Sequence, residues 1–84
     1  MTARPVLTRR QREVLLLAAN GNTNAAIAHW LGVTSNSVAE VLVAAYRRLG
    51  AADRAQAVAV ALRLGVLDMG DIAIPEILRR QEAA

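Results

Sequence analysis

Several kinds of chemistry are excluded by residues that this sequence lacks. It contains no cysteine, which excludes disulfide bonds, cysteine-ligated zinc and cysteine nucleophiles. His29 is the only histidine, so the sequence offers almost no residues from which a catalytic or metal-binding cluster could form. One tryptophan, one tyrosine and no phenylalanine are too few rings for binding single-stranded nucleic acid by base stacking. We therefore expect no catalytic residues, no metal ligands, no cofactor and no enzyme activity.

Membrane spans and targeting segments are also missing from the sequence. No apolar run approaches the roughly 20 residues that cross a membrane, and no charged-then-apolar leader opens the chain. We expect a cytoplasmic protein that has no membrane contact and no small-molecule ligand. A length of 84 residues with 55% hydrophobic residues indicates one small folded domain, to which a partner subunit can add buried surface.

The positive charge is carried by arginine alone, and the formal net charge is +3. Arginines cluster at residues 4–12 and again at Arg47 and Arg48. Clustered arginine attracts phosphate, but so small an excess of charge is equally consistent with a role in solubility.

The most informative stretch is residues 22–49, which predicts two helices joined by a short turn. Residues 25–31 form the first helix and residues 35–49 the second. Gly32 suits the left-handed position that ends a helix, and the side-chain oxygen of Thr34 can cap the next one. Such a pair predicts a helix-turn-helix, whose second helix commonly enters the DNA major groove. We expect Trp30 to pack across a helix edge.

Two further helices flank this unit and complete an all-α domain of four helices. The first starts at a capping box formed by Thr8 and Gln11 and ends before Gly21. The fourth covers residues 54–64 and is capped by Asp53. Helical spacing turns one apolar face of each helix inward. The predicted core residues are Val14, Leu15, Leu17, Ala18, Ile27, Ala28, Leu31, Val38, Leu42, Ala45, Leu49, Val58, Ala61 and Leu62.

The outward face of the third helix carries groups that suit DNA. Asparagine can pair with adenine, glutamate can accept from cytosine, and serine can donate or accept. Hydroxyl, amide and arginine groups at the helix starts and at the end of the third helix can hold phosphates. Ser35, Asn36 and Glu40 are expected to read bases. The predicted DNA-binding residues are Thr23, Asn24, Thr34, Ser35, Asn36, Ser37, Glu40, Arg47 and Arg48.

The fourth helix is apolar on both sides, so it requires a second surface to bury its outer face. A symmetric homodimer is the commonest solution. The alternative is that the C-terminal tail folds back over this face. The predicted dimer residues are Gln56, Ala59, Val60, Arg63 and Leu64.

The chain divides into a flexible N-terminal arm at residues 1–6, the helix-turn-helix domain at residues 7–67 and a C-terminal extension at residues 68–84. Pro75 can begin a short helix within this extension. Ile72, Ile74, Ile77 and Leu78 are too apolar for a solvated tail. We expect them to pack on the fourth helix or on a partner.

Residues spread over four helices resemble the LuxR/GerE-type helix-turn-helix family. Their joint spacing between Leu7 and Leu67 is specific, whereas a sigma-factor region has a similar pattern only from Leu7 to Leu49. The resemblance implies a bacterial transcription regulator whose third helix enters the major groove and whose fourth helix pairs two subunits. The chain is similar to the stand-alone members, which lack a sensor domain. The residues that carry the resemblance are Leu7, Thr8, Arg10, Glu13, Val14, Leu15, Gly21, Asn24, Ile27, Ala28, Leu31, Val33, Thr34, Ser37, Val38, Arg48, Leu49, Asp53, Arg54, Ala55, Gln56, Ala57 and Val58.

The third helix departs from this family at two outward positions. Ala39 replaces a usual basic residue, and Val41 replaces a frequent histidine. Two hypotheses therefore remain open. The first is a small dimeric regulator that binds duplex DNA. The second is a protein-interaction module that docks on another regulator, a sigma factor or RNA polymerase through an apolar patch around Val43, or through its tail.

Overall fold

The computed structural model describes the backbone of residues 6–83 and the side chains of residues 6–81. Five α-helices and no strands occur in this part of the chain, in agreement with the predicted all-α class. The helices are α1 (Arg9–Ala19), α2 (Asn24–Leu31), α3 (Ser35–Leu49), α4 (Arg54–Arg63) and α5 (Glu76–Ala83). Residues 1–5 of the predicted flexible arm lie outside the described residues.

The capping box at the start of α1 is confirmed in both directions. The Thr8 hydroxyl oxygen accepts from the Gln11 N–H at 3.1 Å, and the Thr8 N–H donates to the Gln11 side-chain oxygen at 3.0 Å. These two bonds satisfy the backbone N–H groups of Thr8 and Gln11, which have no backbone hydrogen-bond acceptor within the helix. The capping box therefore fixes the start of the helix.

The remaining helix boundaries agree with the sequence to within one residue. The bounds of α3 are confirmed, and α2 begins one residue earlier than predicted, at Asn24. α4 ends at Arg63 instead of Leu64, because Leu64 forms its C-cap. The C-cap residues Gly32 and Gly50 both have φ of 67°. Glycine adopts this left-handed conformation without a steric penalty, so α2 and α3 end there.

The core lies where the inward faces of α1 to α4 meet. α3 packs against α1, α2 and α4 more extensively than any other helix packs, and is therefore the central helix. Ten of the fourteen predicted core residues are buried, whereas Leu17, Leu31, Val58 and Leu62 are half-buried. The sequence did not predict three further buried residues, Leu7, Ala57 and Leu67.

Trp30 does not pack across a helix edge, which corrects the prediction. Its side chain is 74% exposed, and His29 beside it is exposed as well. Ile27 and Ala28 fill the buried face of this eight-residue helix. Successive residues turn by about 100° around a helix, so Trp30 points well away from Leu31 and from that face.

The C-terminal extension docks on α1 through polar groups, while Ile72 and Leu78 lie with Leu62 of α4 around an apolar groove. The Asn20 amide donates to the Asp71 carbonyl at 3.1 Å and accepts from the Ala73 N–H at 2.7 Å. Arg12 donates from Nη2 to the Asp71 carboxylate at 3.5 Å. A 3-10 turn at Met69–Asp71 precedes this docked segment. Among the four apolar tail residues that were expected to pack, Ile72 is half-buried and the other three are exposed.

Candidate nucleic-acid interface

The turn between α2 and α3 fixes the start of α3 through Thr34. Its hydroxyl oxygen accepts from the Ser37 N–H at 3.0 Å, and its O–H donates to the Ser37 hydroxyl at 2.9 Å. Both side chains are exposed. Thr34 therefore caps the helix, and both side chains still lie at the surface of its first turn.

A polar stripe follows the outer surface of α3. Asn36, Glu40, Val43 and Arg47 are all exposed and recur at intervals of three or four residues. That spacing places them on one face of a helix. Val38, Leu42, Ala45 and Leu49 occupy the opposite, buried face. We call the four exposed residues the α3 stripe; it presents an amide, a carboxylate, an aliphatic group and a guanidinium in that order.

Ser35 is also exposed, at the first position of α3. Ala39 was expected to face outward but is half-buried. Val41 is half-buried as well and packs against the core. The reason is its position at the edge of α3, where it lies with Arg10 and Val14 of α1 around a small apolar depression. The expected exposed apolar patch is therefore reduced to Val43, which is 46% exposed.

The start of α2 is held by a contact from α4. Arg54 donates to the Asn22 carbonyl at 3.1 Å and to the Asn24 side-chain oxygen at 2.6 Å. Thr23 is exposed, and its hydroxyl oxygen caps α2 by accepting from the Ala26 N–H at 3.1 Å. The two residues predicted to hold phosphate here differ, because Asn24 is half-buried and its oxygen is engaged while Thr23 lies at the surface.

The two arginines at the end of α3 have different surroundings. Both are exposed. Arg47 belongs to the α3 stripe. Arg48 lies towards the start of the described chain, where its Nε donates to the Val6 carbonyl at 2.6 Å. Arg48 therefore ties the segment before α1 to α3, a contact that the sequence did not predict.

Arg10 is a candidate site residue that sequence reasoning did not single out. It lines the same apolar depression as Ser37 and so brings a guanidinium from α1 to the edge of α3. It also forms an exposed ion pair with Glu13 at 3.6 Å. The arginine cluster at residues 4–12 was the available signal, but it could not show which of its members lies beside α3.

The outer face of α4 is narrower than expected. Gln56, Ala59, Arg63 and Leu64 are exposed, whereas Val60 is half-buried and packs against the core. Val60 therefore packs mainly within its own protomer. Ala55 is exposed on the same side of α4 as Ala59, one turn away, and was not predicted.

The described residues offer no other recognisable chemical site. Nowhere among them do three or more histidine, aspartate or glutamate side chains come together as possible metal ligands. No helix in residues 6–83 is long and apolar enough to cross a membrane.

Comparison with known proteins defines the class to which this fold and surface belong. Residues 5–61 match the family of bacterial regulatory proteins called the luxR family. The chain belongs to this family, and the resemblance seen in the sequence is confirmed. It carries the helix-turn-helix domain that these transcription regulators use.

Three relatives are identical to this chain at 36–45% of the aligned residues. The chain is 45% identical over 64 residues to NarL of Mycobacterium tuberculosis, a probable transcriptional regulatory protein. The aligned residues make up 76% of this chain. It is 39% identical over 67 residues to VjbR of Brucella abortus, a quorum sensing-dependent transcriptional regulator, over 80% of its length. It is 36% identical over 67 residues to the spore germination protein GerE of Bacillus subtilis, again over 80%.

The chain spans a different fraction of the length of each relative. It spans 30% of NarL, 26% of VjbR and 90% of GerE. Among solved structures, VqmA bound to DPO superposes with a TM-score of 0.67 at 29% identity, over 86% of this chain and 34% of that one. The relatives are transcription regulators rather than enzymes, as the residue composition predicted.

Proposed function

We propose that this protein is a small transcription regulator that binds duplex DNA as a dimer, with α3 in the major groove. The observation that carries the proposal is the α3 stripe, a continuous exposed row on the central helix of a luxR-family fold. A helix about 10–12 Å wide fits the major groove, and base edges there present donors and acceptors to such a row.

Within this arrangement each group of residues has a distinct role. Asn36, Ser35 and Glu40 contact base edges from the first turns of α3, which reach deepest into the groove in helix-turn-helix proteins. Thr23, Ser37 and Arg47 contact phosphates. Thr34 and Asn24 act chiefly by fixing the helix starts, since the structure engages both in hydrogen bonds within the protein. Arg48 combines a phosphate contact with its bond to the Val6 carbonyl.

The dimer pairs the outer faces of α4, where Gln56, Ala59, Arg63 and Leu64 are exposed. Val60 contributes from the edge of that face. A two-fold axis through the paired helices places the two α3 helices in successive major grooves, about 34 Å apart. The bound site is then a two-fold repeat, recognised by residues 7–67, with residues 68–84 as an extension.

The competing hypothesis, docking on another transcription protein through α3, has less support. It required an exposed apolar run at Ala39, Val41 and Val43. Two of these three side chains are half-buried, and Val43 stands between Glu40 and Arg47 in a row of polar groups. A single valine framed by charges makes a poor protein-docking surface.

Opposite charges introduced at Val43 test the proposal. Val43→Arg and Val43→Glu would each be compared with the wild type by fluorescence anisotropy on a labelled random duplex. We expect arginine to raise the DNA affinity and glutamate to lower it, because the α3 stripe would lie in the groove of a negatively charged duplex. If neither change alters the affinity, the α3 stripe does not contact DNA. If both variants instead lose a protein partner equally, the docking hypothesis is favoured.

A further inference from the structure

The last helix of the chain is absent from the extensively packed helix pairs of the described fold, which all lie among α1 to α4. Ile77 is 67% exposed and Leu78 is 46% exposed. A helix of eight residues is marginal in water unless an apolar face is buried against another surface. Within the described residues, α5 therefore exposes Ile77 and part of Leu78 to solvent.

An apolar groove lies directly beside this helix. Its walls include Leu62 of α4, Met69 and Ile74 of the extension, and Leu78 of α5. Met69 is 77% exposed and Ile74 is 49% exposed, so the groove is open to solvent. We call it the tail groove. Leu78 lines it, whereas Ile77, about 100° away around the helix, is not among the lining residues.

We propose that the tail groove receives α5 of a second copy of this chain, and that Ile77 is the side chain that enters it. A two-fold interface requires one protomer to present both complementary halves. Here a groove and an exposed apolar helix lie side by side on the same protomer, sharing Leu78. The exchange is therefore reciprocal: each α5 fills the groove of its partner.

The small size of the exposed α4 face supports α5 of a second copy as the occupant of the tail groove. A ten-residue helix is about 15 Å long, and a standard interface uses about 20–30 residues from each partner. The exposed part of α4 presents Ala55 and Ala59, which are small, with Gln56 and Arg63 beside them. That face supplies fewer residues than a standard interface uses. Leu62 of α4 lines the tail groove, so the groove adjoins α4.

This inference rests on the dimer of the proposed function but assigns most of its apolar area to residues 68–81. Sedimentation equilibrium of the full chain without DNA tests it. We compare wild type with Ile77→Glu, and use Arg79→Gln as the matched control, since both changes lower the net charge by one. Arg79 lies on the charged side of α5. Circular dichroism checks that all three chains are folded, as expected for substitutions of exposed residues.

The proposal predicts that Ile77→Glu raises the dimer dissociation constant about tenfold or more while Arg79→Gln leaves it unchanged. Dimerisation of Ile77→Glu at the wild-type concentration would overturn it. A monomeric wild type at every concentration would also overturn it. DNA binding by wild type, measured on a duplex library in parallel, shows whether the proposed function survives either result.

The absence of cysteine from the chain allows a second, direct test. Single Ile77→Cys and Met69→Cys chains are mixed and oxidised, and the products are separated by mass. A disulfide-linked heterodimer is expected because the two positions meet across the interface. Arg79→Cys replaces Ile77→Cys as the control and should give little cross-linked product. Equal cross-linking by Ile77→Cys and Arg79→Cys would show random collision and overturn the proposed contact.

Discussion

Arg54, the first residue of α4, donates a hydrogen bond to the side-chain oxygen of Asn24, the first residue of α2, over 2.6 Å. A second bond from Arg54 reaches the Asn22 carbonyl. The helix proposed to pair two subunits is thereby fixed to the helix start that lies beside the proposed DNA surface. These bonds therefore connect the helix proposed for dimerisation with the helix start proposed for DNA binding.

Removing this link should lower stability in a defined order. We expect Arg54→Ala to reduce the free energy of unfolding by about 1–3 kcal/mol, because two hydrogen bonds at a half-buried site are lost. Asn24→Ala should cost less, since the bond from Arg54 to the Asn22 carbonyl remains. Urea unfolding of both single variants and the double variant gives the coupling, expected at about 0.5–3 kcal/mol. Strict additivity would contradict a direct contact.

Asn20 should control how firmly the extension is docked. Its side-chain oxygen accepts from the Ala73 N–H at 2.7 Å, so Asn20→Ala should speed exchange of that amide hydrogen. A lost hydrogen bond of about 1 kcal/mol corresponds to roughly fivefold faster exchange by local opening.

Asn20→Asp is the matched control for this experiment. It keeps the acceptor for Ala73 but loses the amide donor to the Asp71 carbonyl. We expect Ala73 to stay more protected in Asn20→Asp than in Asn20→Ala. Equal exchange in wild type and both variants would mean that the extension is not held at this point.

Asn36 should contribute base preference rather than general affinity. We expect Asn36→Ala to relax discrimination at one base pair by about 1–3 kcal/mol and to leave the other positions unchanged. Binding of each variant to a library of sites measures this directly. Arg79→Ala, which removes an exposed side chain from the charged side of α5, is the control and should keep the wild-type preference. An unaltered preference in Asn36→Ala would remove Asn36 from the base contacts.

Arg47→Ala and Arg48→Ala should both weaken DNA binding, but they should differ in their effect on the stability of the protein. Arg47→Ala should lower affinity for all duplexes equally, reduce the salt slope by about 0.9, and change stability by under about 0.5 kcal/mol. Arg48→Ala should in addition lower stability by about 0.5–1.5 kcal/mol, because its bond to the Val6 carbonyl is lost. Salt titrations and urea unfolding separate the two effects. If the affinity and salt slope of Arg48→Ala match wild type, Arg48 is purely structural.

The helices were predictable because local signals mark their ends. Thr8, Thr34 and Asp53 act as N-caps, as the sequence predicted. Apolar spacing then gave most of the core, since one face of each amphipathic helix is buried. Capping and periodicity depend only on nearby residues, so no knowledge of the fold was needed.

The surface was harder to predict because it depends on how the helices are packed. Val41 and Trp30 illustrate this in opposite directions: α1 half-covers the valine, and no neighbouring helix covers the tryptophan. The bonds from Arg54 and Asn20 link residues that are far apart in the chain. No periodicity or cap signals such contacts, and for the same reason the docking of the extension on α1 was missed.

The central claim is that the α3 stripe reads duplex DNA as part of a dimer. The most direct test is binding of the wild-type chain to a random duplex library across a salt series, followed by sequencing of the bound fraction. We predict enrichment of a two-fold repeat and a steep fall of affinity with salt, as phosphate contacts require. No enriched sequence, with weak binding that vanishes at physiological salt, would contradict it and favour a protein partner instead.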